Sequence, residues 1–319
     1  MIVKIEEAIN KKIIEEELDS ITRKDRDYSH FHASSWDDCK RKTAYQYYEA
    51  MGYITIEPAC ITIDPNLMRI FHNGHYAHDR WKKYLESTGA LMGRWRCDDS
   101  SHGATSHPVY GKDERFGVLK PERCMCGNAN LTYEEVGFLD PHTMWGGHVD
   151  AIVDQRILAR IQGFTGICDP GEELIIVDFK TMNSFAFKQL ESPMPNHITQ
   201  MQIYLYLSGL SNGKFIYENK DNQNIKEFLV RIDQGLLAIK KAEALALKQQ
   251  VTTVNTRGDH TLPPRGYPSK TSPKCMACKF RGHCWHEKHD KSRKERVKEI
   301  SRPLEIKMPV AMGIGEADV

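Results

Sequence analysis

The sequence predicts an α/β protein, on three observations. Apolar, β-branched runs at 146–154, 157–161, 173–179, 214–218 and 226–232 have strand character. Helical periodicity appears between and after them, at 184–191, 196–209 and 233–249. Turn chemistry separates the elements, with Pro170-Gly171 just ahead of the run at 173–179. Strands interleaved with helices are the pattern of a sheet covered by helices.

In chain order, residues 4–20 alternate apolar and charged groups at helical spacing and break at Asp19-Ser20. Ser34 or Ser35 caps an expected helix from Trp36 to about Met51, with Cys39 on its first turns. The β-branched stretch YITIEPACITI (53–63) reads as a short strand pair around Pro58, and 67–88 reads as a helix carrying His75, His78 and Trp81. From 93 to 142 the pattern dissolves into Gly, Ser, His, Pro and Asp with three cysteines. A structureless loop of that length is unusual inside a compact domain, so a metal-stapled insertion is expected. A proline-rich loop (262–273) leads to a cysteine cluster at 275–284, and the tail beyond about 300 has no pattern and is expected to be disordered. The expected organisation is therefore an N-terminal helical part (1–92), a cysteine/histidine insertion (93–142), a core (143–250), a C-terminal cysteine segment (251–300) and a tail (301–319).

Composition excludes several classes. Hydrophobic residues make up 40% of the 319 and charged residues 27%, which suits a soluble globular chain. No apolar run approaches the roughly 18 residues of a membrane span. The start, MIVKIEEAINKKIIEEELDS, lacks the apolar core of a signal peptide, so a cytoplasmic location is expected. Net charge is +1, so a nucleic-acid partner would need a local basic groove. Three short basic runs offer one: Lys40-Arg41-Lys42, Arg80-Trp81-Lys82-Lys83 and Arg94-Trp95-Arg96. Their tryptophans either stack on unpaired bases or sit in the core beneath a solvated face. A fourth run, Lys288 to Lys298, reads as an exposed helix. Nine cysteines without a signal peptide point to metal binding rather than to disulfides.

The chemistry concentrates in GGHVD and IIVDFK. Asp150 and Asp178 each end an expected strand, and neighbouring strands would bring them to one sheet edge. Asp178 and Lys180, two apart, share a face. Two carboxylates make a hard oxygen site for Mg²⁺ or Mn²⁺, and a lysine beside them can orient a water or stabilise charge on phosphorus. Gln200 and Tyr204 lie four apart on an expected helix, one turn from each other on the same face. His78, on the helix before the insertion, offers a further nitrogen ligand.

Two cysteine groups complete the pattern. Cys275, Cys278 and Cys284 form C-x2-C-x5-C, which lacks one ligand: His283 or His286 completes a zinc site, or Cys39 closes a four-cysteine site from afar. Cys97, Cys124 and Cys126 fall in the insertion, where CMCG has the form of a knuckle turn. With His102 as fourth ligand they would hold Zn²⁺, with His107 or His142 as alternatives. Cys60 and Cys168 sit singly in apolar segments and read as core residues.

Together these features resemble the PD-(D/E)XK nucleases, specifically the iron–sulfur members of the RecB-type branch, which include the AddB nuclease domain and the CRISPR-associated adaptation exonuclease. The resemblance runs from about Ser34 to Trp285, interrupted by the insertion, about which it says little. It implies a restriction-endonuclease-like central mixed sheet flanked by helices. Asp150 and Asp178 match the acidic ligands, Lys180 the catalytic lysine, His78 the histidine of a G-x-x-x-H element, and Gln200 and Tyr204 a Q-x-x-x-Y element. The resemblance favours Cys39 as partner of Cys275, Cys278 and Cys284 around a 4Fe–4S cluster that joins the N- and C-terminal segments. The implied activity is Mg²⁺- or Mn²⁺-dependent hydrolysis of DNA, most specifically exonucleolytic digestion of single strands or frayed ends. The competing reading is a non-catalytic or partner-dependent DNA-binding subunit of a recombination, replication or repair complex.

Overall fold

The structure is a computed structural model that describes residues 5–23, 27–55, 63–102, 107–164, 172–253, 262–276 and 278–285. The first helix, α1 (Ile5–Arg23), packs on α3 (Pro65–Ser87). Local chemistry sets the start of α3: the Asp64 side chain accepts from Asn66 N at 2.9 Å, and Pro65 takes the first helical position, where no backbone N–H is needed. Between them lie β1 (Phe31–His32), a 3-10 turn (Ala33–Ser35) and α2 (Lys40–Ala50). The helix expected from Trp36 starts at Lys40 instead. The 3-10 turn closes with Trp36 N donating to Ala33 O at 3.2 Å, and the Trp36 ring is buried edge-on against Trp145. Cys39 therefore occupies the extended N-cap position of α2 rather than a helical turn.

The middle of the chain supplies most of the strands. These are β2 (Leu91–Cys97), β3 (Val109–Tyr110), β4 (Val118–Leu119), β5 (Leu131–Glu134), β6 (Val136–Asp140), β7 (Trp145–Val149) and β8 (Ala151–Asp154). Then follow α4 (Gln155–Ile161), β9 (Leu174–Met182), α5 (Ser184–Gln189), α6 (Pro195–Ser208), β10 (Asn212–Asn219), β11 (Ile225–Arg231) and α7 (Gln234–Thr252). Two short helices, α8 (Pro273–Met276) and α9 (Arg281–Trp285), carry Cys275 and Cys284, and Cys278 lies between them. The strand expected at 157–161 is a helix, because Asp154 caps it at Arg156 N and Gly163, at φ +78°, ends it; seven residues are too few for periodicity to decide. Of the pair expected at 53–63, residues 53–55 form no strand and 56–62 lie outside the described residues. Also outside them are Cys60, Cys168, the Pro170-Gly171 turn, His286, the Lys288–Lys298 run and the tail.

The fold is mixed α/β. The main sheet runs β11-β10-β9-β8-β2-β3, with β4 and β5 also paired to β2; a second, three-stranded sheet runs β1-β7-β6. Pairs β9·β10 and β1·β7 are parallel and the others antiparallel. The period of two splits β9 between its faces. Ile175, Val177 and Phe179 join one cluster with Trp81 and Leu85 of α3, whereas Ile176 joins the other with Met201 and Ile203 of α6. Seven consecutive residues of α6, Thr199 to Leu205, are buried. A helix enclosed on all sides must satisfy its polar groups internally. Gln202 does so structurally, donating to Arg231 O at 2.8 Å and accepting from Asp233 N at 2.7 Å.

Among the described residues, no helix is long and apolar enough to cross a membrane.

Candidate active site

The turn between β7 and β8 places Asp150. The antiparallel register pairs Ala151 with Val177, so one further step sets Asp150 opposite Asp178. Phe179 N donates to Asp150 Oδ2 at 2.9 Å and fixes that carboxylate against β9. Asp178 and Lys180 project together on the α6 side, with Lys180 Nζ 2.5 Å from Asp178 Oδ1. Gln200 reaches them from α6. It donates to Asp178 Oδ2 at 3.1 Å and to Tyr204 OH at 3.2 Å, and it accepts from Lys180 Nζ at 3.1 Å. Tyr204 is buried against Gly147, where an added Cβ would stand 3.0 Å from its ring. His78 arrives from α3 on the opposite side, with Nδ1 3.2 Å from Asp150 Oδ2 and its ring edge-on to Phe179 at 5.9 Å. The six residues singled out in the sequence thus form one connected cluster.

The electrostatics follow from burial and pairing. Desolvation pushes the Asp178 carboxyl up to about 6, with Asp150 adding to the rise and Lys180 opposing it. Asp150 also loses solvation. The His78 hydrogen bond and charge, Lys180 and the Phe179 N–H outweigh that and hold its pKa below the ordinary value. For His78 the order is similar: burial disfavours its charge, but Asp150 and then Asp178 raise its pKa. Asp178 Oδ1 is fully buried, and apart from the Lys180 ion pair it accepts no well-directed hydrogen bond. An unsatisfied buried carboxylate oxygen beside a second carboxylate is a donor set that suits a hard cation.

Sequence reasoning missed other groups near the site. Glu135, between β5 and β6, pairs with Lys82 at 3.1 Å, and its pKa is raised by burial and then by Asp150. Tyr133 OH donates to Asp150 O at 3.4 Å. Neither lies in a spaced motif; only strand pairing brings them in. The tryptophans of the basic runs belong to the core. Trp81 stacks on Phe179 at 5.8 Å and donates to Glu218 Oε2 at 2.6 Å, and the buried Trp95 donates to Val118 O at 3.0 Å.

Among the described residues, the cysteines form two separate groups. Cys97, His102, Cys124 and Cys126 present ligand atoms all within 4.8 Å of one another, a group able to hold a metal ion. His107 Nδ1 instead meets Cys97 O at 2.9 Å, and His142 lies in the β6–β7 turn, with its backbone N bound to Asp140 Oδ1 at 3.0 Å. Cys39, Cys275, Cys278 and Cys284 line one pocket with Arg41 and Lys42. Tyr45 stacks on Phe280 beside them at 5.5 Å, and Gly266 packs so closely on Cys39 that an added Cβ would lie 3.1 Å from its sulfur.

No protein-family model matches the chain, and no curated protein matches it. Several solved structures are similar at low identity, among them the following three. One, described as the crystal structure of SSO0001, is 16% identical with a TM-score of 0.37, covering 77% of this chain and 88% of that one. An alkaline exonuclease from Laribacter hongkongensis, LHK-Exo, is 19% identical with a TM-score of 0.28, covering 37% of this chain and 56% of that one. LHK-Exo in complex with dAMP is 14% identical with a TM-score of 0.40, covering 70% of this chain and 88% of that one. Similarity this distant leaves the functional argument to the side chains.

Proposed function

We propose that this protein is a Mg²⁺- or Mn²⁺-dependent nuclease of the PD-(D/E)XK superfamily, RecB-type branch, acting on single-stranded DNA or DNA ends. The observation that carries the reading is the continuous contact chain His78–Asp150 and Asp178–Lys180–Gln200–Tyr204, joined through the Phe179 N–H. His78, Asp150 and Asp178 would hold the ion, and the buried, poorly satisfied Asp178 Oδ1 supports that assignment. When bound, the ion supplies Lewis acidity toward a phosphate and a more acidic water.

The rest is the work of the chain. Lys180 Nζ is ion-paired with Asp178 and donates to Gln200, which leaves N–H capacity for a phosphate oxygen or for the attacking water. Its positive charge opposes the negative charge that builds on phosphorus. Gln200 clamps Asp178 and Lys180 in one geometry, and Tyr204 anchors Gln200 from below. The preference for DNA rests on the family resemblance.

The pocket holding Cys39, Cys275, Cys278 and Cys284 suits a 4Fe–4S cluster. Four thiolates carry negative charge, and Arg41, Lys42, Lys274 and Arg281 surround them. The family resemblance, with one cysteine ahead of the core and three after it, supports a 4Fe–4S cluster there rather than zinc. Its role is structural, stapling the segment before α2 to α8 and α9.

The test is cleavage of an end-labelled single-stranded oligonucleotide with Mn²⁺ by the full chain. Wild type should shorten the oligonucleotide, while Asp178→Ala and Lys180→Ala should not. Binding without cleavage by wild type would make the protein a DNA-binding subunit instead.

A further inference from the structure

We propose that Cys97, His102, Cys124 and Cys126 form a closed, structural zinc site that fastens the small β-unit around β2 and β5, independently of the active site and of the other cysteine pocket. The distances match one tetrahedral ion. Two thiolates on the same zinc stand about 3.8 Å apart, and a thiolate and an imidazole about 3.6 Å apart, given bonds of about 2.3 and 2.0 Å. Cys97 Sγ and Cys126 Sγ are 3.7 Å apart, and Cys124 Sγ and His102 Nε2 are 3.3 Å apart. A disulfide would need sulfurs about 2.0 Å apart, so these are separate thiols.

The backbone is shaped for the purpose. Cys97 ends β2, and His102 follows in a 3-10 turn (Ser100–His102). Cys124 and Cys126 sit in a tight turn closed by Gly127 N donating to Cys124 O and Cys124 N donating to Asn128 O, both at 2.8 Å. Gly127 at φ +87° makes that reversal without strain. Donors outside the four ligands point at the sulfurs: Tyr110 OH to Cys124 Sγ at 3.3 Å and Asn128 Nδ2 to Cys97 Sγ at 3.7 Å. Such contacts orient thiolates and disperse their charge.

Four protein donors fill a tetrahedron and leave no position for water or substrate, which marks a structural site rather than a catalytic one. The unit also needs a staple. Strands β3 and β4 have two residues each, and Trp95, Leu131 and Tyr133 join the cluster shared with β8 and β9 rather than building a core around the four ligands. Small units with thin cores commonly depend on a bound metal.

The experiment uses the full chain, purified without chelator. Wild type should carry one zinc per chain beyond any iron. Cys126→Ser removes an exposed ligand, so it should not disturb packing, and should weaken zinc binding more than about 100-fold. Asn128→Ala should weaken it about 10-fold, as loss of an outer partner does. Cys275→Ser should leave the zinc unchanged. Cobalt titrated into chelator-stripped wild type should give thiolate charge-transfer absorption and the d–d bands of a tetrahedral site, a readout that needs no variant to fold. Absence of those bands overturns the proposal, as does zinc retained at wild-type affinity by Cys126→Ser, or zinc lost from Cys275→Ser instead.

Discussion

Replacing Gln200 by leucine probes the proposed site at its most connected residue. Gln200 is 6% exposed and makes contacts of 3.1 Å to Asp178, 3.1 Å to Lys180 and 3.2 Å to Tyr204. Leucine fills nearly the same space and deletes all three. Hydrogen bonds to charged groups are worth about 1.5–3 kcal/mol each, and two of the three are of that kind. Asp178 and Lys180 keep each other as partners, so the loss falls toward the lower end, about 3 kcal/mol in total. If that organisation is withdrawn from the transition state, cleavage slows about 100-fold. The assay is single-turnover cleavage of an end-labelled oligonucleotide at saturating Mn²⁺, with oligonucleotide affinity measured separately and expected within a few-fold of wild type. Gln200→Glu keeps an acceptor for Lys180 but faces Asp178 with a second carboxylate. It should therefore raise the proton affinity of Asp178 and move the acidic limb of the rate profile to higher pH. Cleavage by Gln200→Leu within threefold of wild type would refute the role given to this residue.

Three other expectations follow from particular contacts. Burial, and then Lys180, push the His197 pKa down to about 4. The unfolded chain therefore takes up the proton first as pH falls below about 6.5, and stability should drop by about 2 kcal/mol more in wild type than in His197→Gln between pH 7 and 4, measured by urea denaturation. The buried Glu218 receives Trp81 Nε1 at 2.6 Å and pairs with Arg80. Glu218→Gln should cost about 1–2 kcal/mol in the same measurement, because α3 is held to β10 through it. Anaerobically purified wild type should be brown and absorb broadly near ~400 nm, and Cys39→Ser should lose that colour. A colourless wild type would remove the iron–sulfur assignment.

Where the chain is long and regular, its sequence declares the fold. The Asp64-Pro65 start of α3, Pro195 and the left-handed Gly209 bounding α6, and the β-branched runs of β9 to β11 are local signals. Much of the candidate site is legible for the same reason. A spacing of two on a strand and of four on a helix each fix a shared face, so Asp178 with Lys180 and Gln200 with Tyr204 follow from counting. The stretch 93–142 did not declare itself, because four of its strands have only two to five residues; β3, β4 and β5 take their order from pairing with β2, and β6 from pairing with β7. β2 is the element that sequence reasoning missed despite a local signal: LMGRWRC alternates, and its burial alternates with it. The choice among His102, His107 and His142 was not readable, since spacing allows all three and only the turn after β2 brings His102 Nε2 to Cys124. Glu135 and Tyr133 carry no spacing signal at all.

The middle residue of Asp178-Phe179-Lys180 explains why this segment organises the rest. Alternation sends Asp178 and Lys180 toward α6, and the same alternation sends Phe179 toward α3. There its ring stacks on Trp81 and meets His78, while its backbone N–H holds Asp150. Three consecutive residues of β9 therefore touch helices from both faces of the sheet and the turn before β8. A slip of one residue in register would exchange the faces, turning Phe179 toward Gln200 and both polar side chains into the apolar cluster under α3. The parallel pairing with β10, from Gly213 opposite Ile176 to Asn219 opposite Met182, prevents that slip along nearly the whole strand. It is closed by Phe215 and Tyr217, which are buried on the α6 side. The geometry of the candidate site is thus set less by its polar contacts than by the buried apolar strand beside it. Substitutions in β10, where Phe215 and Tyr217 lie opposite Asp178 and Lys180, should consequently disturb Asp178 and Lys180 together rather than one at a time.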